Sequence, residues 1–333
     1  MSKLSKSKRP TGPLQSAASP APQGFFARLG VVRLRILIAV MVVSLFGLIW
    51  YAASRPSNSR PAPPVISTST LPTATHGTDG LQAVPPDQPE LAQTIAFLES
   101  KYLVSLGVAI APISIPGRAN MYPWHAGTLA TGLAWDTTDI AIAVAVLREP
   151  KKPEDPEYLL NRALHESSPA GDMALWQFLG VPEEAAAKTM AILAEYGDPD
   201  TEVPAGSTDS ANPDLPPYTQ TRWALANQAA FAGAMYCSEP GQQALKHLTL
   251  LHRDYTYGLA LLPGSAVKSG QGVELGGATS IRQVGIVSPP GGVPYAVSIQ
   301  VVAVDGTADT AKAALNELAP AVLAFTSGIE GYC

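Results

Sequence analysis

The chain has 333 residues, 46% hydrophobic and 15% charged, which supplies one substantial core, while 31 prolines place part of it outside any packed globule. Lys3, Lys6, Lys8, Arg9, Arg28, Arg33 and Arg35 are the only charges before residue 36, and taking those seven cations from the net charge of -5 leaves -12 for the rest. So acidic a body excludes nucleic acid as a partner and argues against adhesion to anionic polymers.

Residues 1–30 read as a basic tail. Within residues 31–53, the stretch Ile36–Ala53 is free of charge and just long enough to span a bilayer core, which needs about 20 apolar residues. Basic residues flank only its N-terminal side. The reading is therefore a single-pass plasma-membrane anchor, with 1–30 cytoplasmic, the rest extracytoplasmic, and Trp50 and Tyr51 at the outer interface. A cleaved signal peptide competes with it, but its apolar region is normally shorter and Tyr51-Ala52-Ala53 is a poor small-x-small site. Residues 54–88, rich in Pro, Ser and Thr and without apolar period, read as a disordered linker. Cys237 and Cys333 both follow the span, in a compartment that permits disulfides, and one bridge between them is expected.

A folded domain is expected over 89–333. Leu91, Ile95, Leu98 and Tyr102 recur at helical spacing. "LVSLGVAIAPI" alternates as strands do, and "GTLATGLAW" reads as its hairpin partner. An apolar helix follows over Thr137–Leu147, then helices near 157–166, 170–179 and 183–196 and a Pro-, Gly- and Asp-rich loop over 197–218. "TQTRWALANQAAFAGAMYC" reads as a helix with Trp223, Ala226, Ala230 and Met235 inward, and "HLTLLHRDY" as another. Strands follow at "SAVKSG", "TSIRQVGIVS" and "YAVSIQVVAV", then a last helix capped near Thr307 and Asp309. The order predicts an α+β domain: an antiparallel sheet flanked by the two terminal helices, plus an all-helical lobe, with a cleft between lobes.

Three segments in this order resemble the serine β-lactamase and penicillin-binding protein group, class A β-lactamases above all. "GLAWDTTDIAIAVAVL" is similar to the segment holding Ser-x-x-Lys, "HESSPAGDMALWQFLG" to that holding Ser-Asp-Asn, and "AVKSGQGVELGGATSIRQVGIV" to the strand with Lys-[Thr/Ser]-Gly. "TQTRWALANQAAFAGAMYC" also resembles a related extracytoplasmic bacterial subgroup. The resemblance covers 89–333 and implies the β-lactamase/transpeptidase fold. It places the nucleophile on Asp136, the general base on Asp139, and Ser-Asp-Asn on Ser167-Ser168-Pro169; only Lys268-Ser269-Gly270 keeps its motif. No deacylating Glu can be placed in the loop 197–218.

Acyl transfer needs a nucleophile whose proton a nearby base takes. A carboxylate is a feeble acyl acceptor, and Asp139 cannot do the work of the family's Lys. The expectation is a degenerate centre with no β-lactamase activity and no catalytic residue. Its cleft would be lined by Asp136, Asp139, Ser167, Lys268, Ser269 and Gly270, and it would bind or scaffold a cell-wall component or a wall-synthesis protein. The alternatives are a hydrolase using Asp136 and Asp139 as acid and base, and a purely structural surface protein. The plain reading of the two aspartates is capping, with Asp136 at the N-cap and Asp139 at N3 of a capping box, worth about 1 kcal/mol. Lys268 then serves as their charge partner across the cleft. His76, His125, His165, His247 and His252 show no metal spacing, and no phosphate loop is present, so neither metal nor cofactor is expected.

Overall fold

Pro89, whose ring presets a helical φ, stands at the first position of α1 (Pro89–Tyr102), and Leu91, Ile95 and Leu98 form its buried stripe. The computed structural model describes residues 87–333 except 117, 119–121, 210–212, 250 and 326–330. The expected tail, the anchor and all but the end of the linker lie outside the described residues. Among those described, no helix is long and apolar enough to cross a membrane.

β1 (Val104–Pro112) follows and pairs antiparallel with β2 (Trp124–Gly127), Gly107 facing Gly127. The segment expected as the hairpin partner is therefore displaced. Beyond Gly127, which ends β2, only Thr131–Leu133 of it is extended, as β3, and it pairs with β4 (Arg222–Ala224) in a separate two-stranded ribbon. A short 3-10 turn, Trp135–Thr138, leads into α2 (Asp139–Arg148). The helical lobe continues with α3 (Pro156–Leu160), a wide turn over Asn161–His165, α4 (Pro169–Phe178) and α5 (Pro182–Glu195).

The next helix is shorter than its sequence suggests. Pro217–Gln220 is a 3-10 turn, and α6 spans Leu225–Tyr236. The backbone between them is held extended by β3 and its flanks: Ala134 donates to the Thr221 carbonyl at 2.8 Å and Leu225 to that of Ala130 at 2.9 Å. The inward face of α6 carries Leu225, Gln228, Ala229, Ala232 and Met235, whereas Ala226 and Ala230 are only half-buried. The helix expected at "HLTLLHRDY" is also corrected. α7 covers Glu239–Lys246, started by Ser238, whose Oγ accepts the Gly241 N–H, and by Pro240 in its first turn. Of the described residues in the expected segment, only Arg253–Tyr255 forms a helical turn.

β5 (Ala266–Val273), β6 (Thr279–Val287), β7 (Tyr295–Ala303) and α8 (Ala308–Leu323) complete the unit as expected. Thr307 caps α8 by accepting the Thr310 N–H. The five-stranded sheet has the order β2-β1-β7-β6-β5 and is antiparallel throughout. One face packs on α1 and α8 through Leu106, Val108, Ile110, Val297, Ile299, Val301 and Leu315. The other carries Ala109, Val284, Ile286 and Ala296 against the helical lobe. Each fully buried Leu, Ile or Val contributes about 1.5–3 kcal/mol. A disulfide joins Cys237, at the end of α6, to Cys333.

Candidate functional site

α2 is apolar on every side, and Asp139 to Val146 are all buried. A helix of that kind occupies the centre of its lobe and takes its first residue inside with it. Trp135 enters the preceding turn at φ 50, a left-handed conformation uncommon for a bulky residue. The turn this produces overturns the capping expectation. Thr138, not Asp136, precedes α2, neither makes a side-chain cap, and Asp139 is the first residue of the helix rather than N3 of a capping box.

The Asp139 carboxylate instead meets β5. Its Oδ2 lies 3.1 Å from Lys268 Nζ, and neither side chain has any exposed surface. Lys268 Nζ also donates to Ser167 Oγ at 2.9 Å. Ser167 lies just before α4 with φ 46, the same left-handed region. The expected Lys–Asp link between sheet and helical lobe is present, and it runs through both motif segments.

A third acid joins them. Asp172, in the first turn of α4, is 3% exposed, and one oxygen from each of Asp136, Asp139 and Asp172 lies within 4.8 Å of the others. The positive ends of α2 and α4 both favour negative charge there. These carboxylates are close enough to bracket a cation, and the chain supplies one itself, the Lys268 ammonium. Sequence reasoning missed Asp172, because an acid in the first turn of a helix is read as a dipole partner. Its signal was its place in "SSPAGD", one turn beyond the Ser167 segment.

Burial sets the electrostatics. It pushes Asp172 up to about 7, with Lys268 pulling it back and Asp136 adding to the rise. Burial, then Asp172, drives Asp139 well above the carboxylate range. Asp136 is raised less, by burial against the attraction of Lys268. Burial also opposes the Lys268 charge, but the three carboxylates, Asp139 foremost, outweigh it and hold the amine protonated above the ordinary lysine range. Burial raises the Tyr218 hydroxyl too, followed by the charges of Asp139, Asp172 and Asp136.

The remaining expected cleft residues line the seam. Ser269 is buried and accepts a hydrogen bond from Gln283 Nε2 at 2.9 Å. Gly270 lets β5 approach the turn: a Cβ there would stand 2.7 Å from the Asp136 nitrogen. One at Gly272 would stand 2.2 Å from the Trp135 ring. Of the six residues expected to line the cleft, Asp139, Ser167, Lys268, Ser269 and Gly270 are thus buried, and Asp136 keeps partial exposure.

Beneath the turn is a polar layer that the sequence did not reveal. Gln228 Nε2 donates to Thr137 Oγ1 at 2.9 Å, and Arg282 Nε donates to Gln228 Oε1 at 2.7 Å. In the loop 197–218, Asp198 accepts from Trp223 Nε1 at 2.6 Å and Asn227 Nδ2 at 2.8 Å, a structural role.

Chemically, Ser167 and Lys268 are the nearest approach to a nucleophile and base, and the amine is already protonated. No family model and no curated protein matches the chain. Among solved structures it is similar to the TLA-3 extended-spectrum β-lactamase, with 14% identity over 72% of this chain and 99% of that one and a TM-score of 0.56. A β-lactamase from Burkholderia vietnamiensis gives 17% identity, coverage of 73% and 99%, and a TM-score of 0.54. A class A β-lactamase from Mycobacterium abscessus gives 19%, 70% and 98%, and 0.53. At these identities the likeness shows the fold: the domain has the class A β-lactamase-like architecture that its sequence resemblance implied.

Proposed function

We propose that this protein is a membrane-anchored, extracytoplasmic pseudoenzyme that uses a β-lactamase-like domain for binding or scaffolding at the cell wall. The observation that carries the reading is the state of Lys268. Its amine has no exposed surface and is engaged by Asp139 and Ser167, with the surrounding carboxylates favouring its charged form, so it offers no free base to stand in for the lysine whose position Asp139 occupies. Asp136, in the nucleophile position, brings a carboxylate whose acyl product would be a labile anhydride. Acyl transfer therefore lacks both its nucleophile and its base. A hydrolase built on Asp136 and Asp139 requires both to reach a substrate, and Asp139 has no exposed surface. The charge-free stretch 36–53 with its one-sided basic flank supports the anchor, and the disulfide supports an oxidising compartment.

The test is incubation of the full-length chain in detergent with a fluorescent penicillin, alongside thermal-shift measurements with soluble peptidoglycan fragments. The expected result is no covalent adduct, and a raised melting temperature with at least one fragment. An adduct mapping to Ser167 or Asp136 overturns the pseudoenzyme reading; no shift with any fragment removes the wall ligand from it.

A further inference from the structure

Asp136 and Asp139 come from the turn before α2 and from its first residue, Asp172 from α4 and Lys268 from β5. Fully ionised, these four side chains carry -2 in a place with almost no water. Charge left unpaired in such surroundings is shed by protonation. The geometry indicates where a proton belongs. Asp139 Oδ1 and Asp172 Oδ1 are both buried and receive no hydrogen bond from any donor among the described residues. Yet the carboxylates of these two residues are neighbours in the same cluster. Two anionic oxygens side by side repel; one proton between them turns repulsion into a hydrogen bond.

We propose that a proton held between Asp139 and Asp172 is a structural part of this fold, tying the start of α2 to α4 and setting the two carboxylates against each other when it is lost. Lys268 then balances the single charge left on the pair, and Asp136 keeps its own charge at the wetter rim. The other titratable groups acted on by the cluster are Tyr218, Tyr255 and Tyr257. All three hydroxyls are raised, by burial first, and remain neutral.

The sign of the pH dependence follows. The folded form raises Asp172 to about 7 and Asp139 well above the ordinary range, so it keeps protons that the unfolded chain releases. The stabilisation is complete below the unfolded carboxylate range and is lost as pH rises through about 7. Ordinary surface carboxylate pairs change stability in the opposite direction and only at lower pH.

The test is thermal unfolding of the full-length chain in detergent between about pH 5 and about pH 8, for the native protein and for Asp172→Asn. The melting temperature of the native protein is expected to fall across this range. Asp172→Asn, carrying an uncharged hydrogen-bonding group in place of the acid, is expected to flatten the slope and to match or exceed the native protein at the alkaline end. A native melting temperature that rises with pH, or the same slope in both proteins, overturns the proposal. Infrared spectroscopy of the native protein gives an independent reading, whether or not the variant folds. A buried carboxylic-acid carbonyl band is expected at mildly acidic pH and should disappear at alkaline pH; its absence at acidic pH overturns the proposal.

Discussion

Arg282 carries a guanidinium into the interior with no exposed surface, and no carboxylate bonds it among the described residues. Its fork is matched instead by oxygens: Gln228 Oε1, Gln300 Oε1 at 3.2 Å, and the carbonyls of Gly132 at 3.0 Å and Trp223 at 2.9 Å. Two of these acceptors belong to the β3–β4 ribbon, and Gln228 reaches Thr137, so one side chain fixes the floor under the Asp136 turn. Burial lowers its pKa to about 9, which still leaves it charged at neutral pH. Arg282→Met takes a charged donor from four buried acceptors, of which Gln228 Oε1 still receives Ser298 Oγ at 2.6 Å, and is expected to cost about 3 kcal/mol or more. Arg282→Lys keeps the charge but loses the planar fork and should recover only part of it. Urea denaturation at neutral pH measures both. The position of Arg282 in a strand was legible; its direction was not. An Arg in an alternating strand normally marks the solvent face, and that rule fails where a helical lobe covers the face. Asp172 was missed for a similar reason: its exposure depends on what packs over the start of α4, which local sequence does not encode.

At the scale of elements, long segments with strong periodicity were legible and short ones were not. The apolar run of α2, the stripe of α1 and the three final strands each carry enough repeats to declare themselves. β3 and β4 are three residues each and exist only because they pair across the chain, Thr131 with Ala224 and Leu133 with Arg222. The turn at Trp135–Thr138 was read as a capped helix start because Asp-Thr-Thr-Asp suits capping, but the left-handed Trp135 redirects the backbone. That conformation is stabilised by β5, which lies against the Trp135 ring with only glycine at position 272. Gly272→Val introduces a Cβ inside contact distance of the ring and is expected to cost about 1–3 kcal/mol through overpacking. Trp135→Ala alone removes a large buried ring and should cost about 3–5 kcal/mol. If the ring and the glycine are fitted to each other, the double variant loses less than the sum of the two, by about 1 kcal/mol or more. A double-mutant cycle in urea checks this, and strict additivity would show that the fit is not what holds the turn.

For the molecule as a whole, covering the sheet on both faces gives two apolar cores, one under the terminal helices and one under the helical lobe. The layer order was legible because the succession of helix, strands, helices, strands and helix admits few antiparallel solutions. The Lys268 link across the seam was legible too, but how tightly the seam closes was not, since that depends on two glycines whose importance lies in what touches them. The disulfide adds a constraint of another kind. Cys237 and Cys333 are 96 positions apart, and the bridge ties the end of α6 to a segment that also meets the end of β1, where Tyr332 donates to the Ile113 carbonyl at 3.1 Å. A crosslink closing so long a loop acts mainly by restricting the unfolded chain, by about 4–5 kcal/mol in the chain-entropy model. Cys237→Ser with Cys333→Ser is therefore expected to lower the urea midpoint strongly while leaving the folded-state circular dichroism unchanged. The m value should rise, because an uncrosslinked unfolded chain exposes more surface. A midpoint loss with an unchanged m value would place the effect of the bridge in the native contacts around Ile113 and Tyr332 rather than in the unfolded chain.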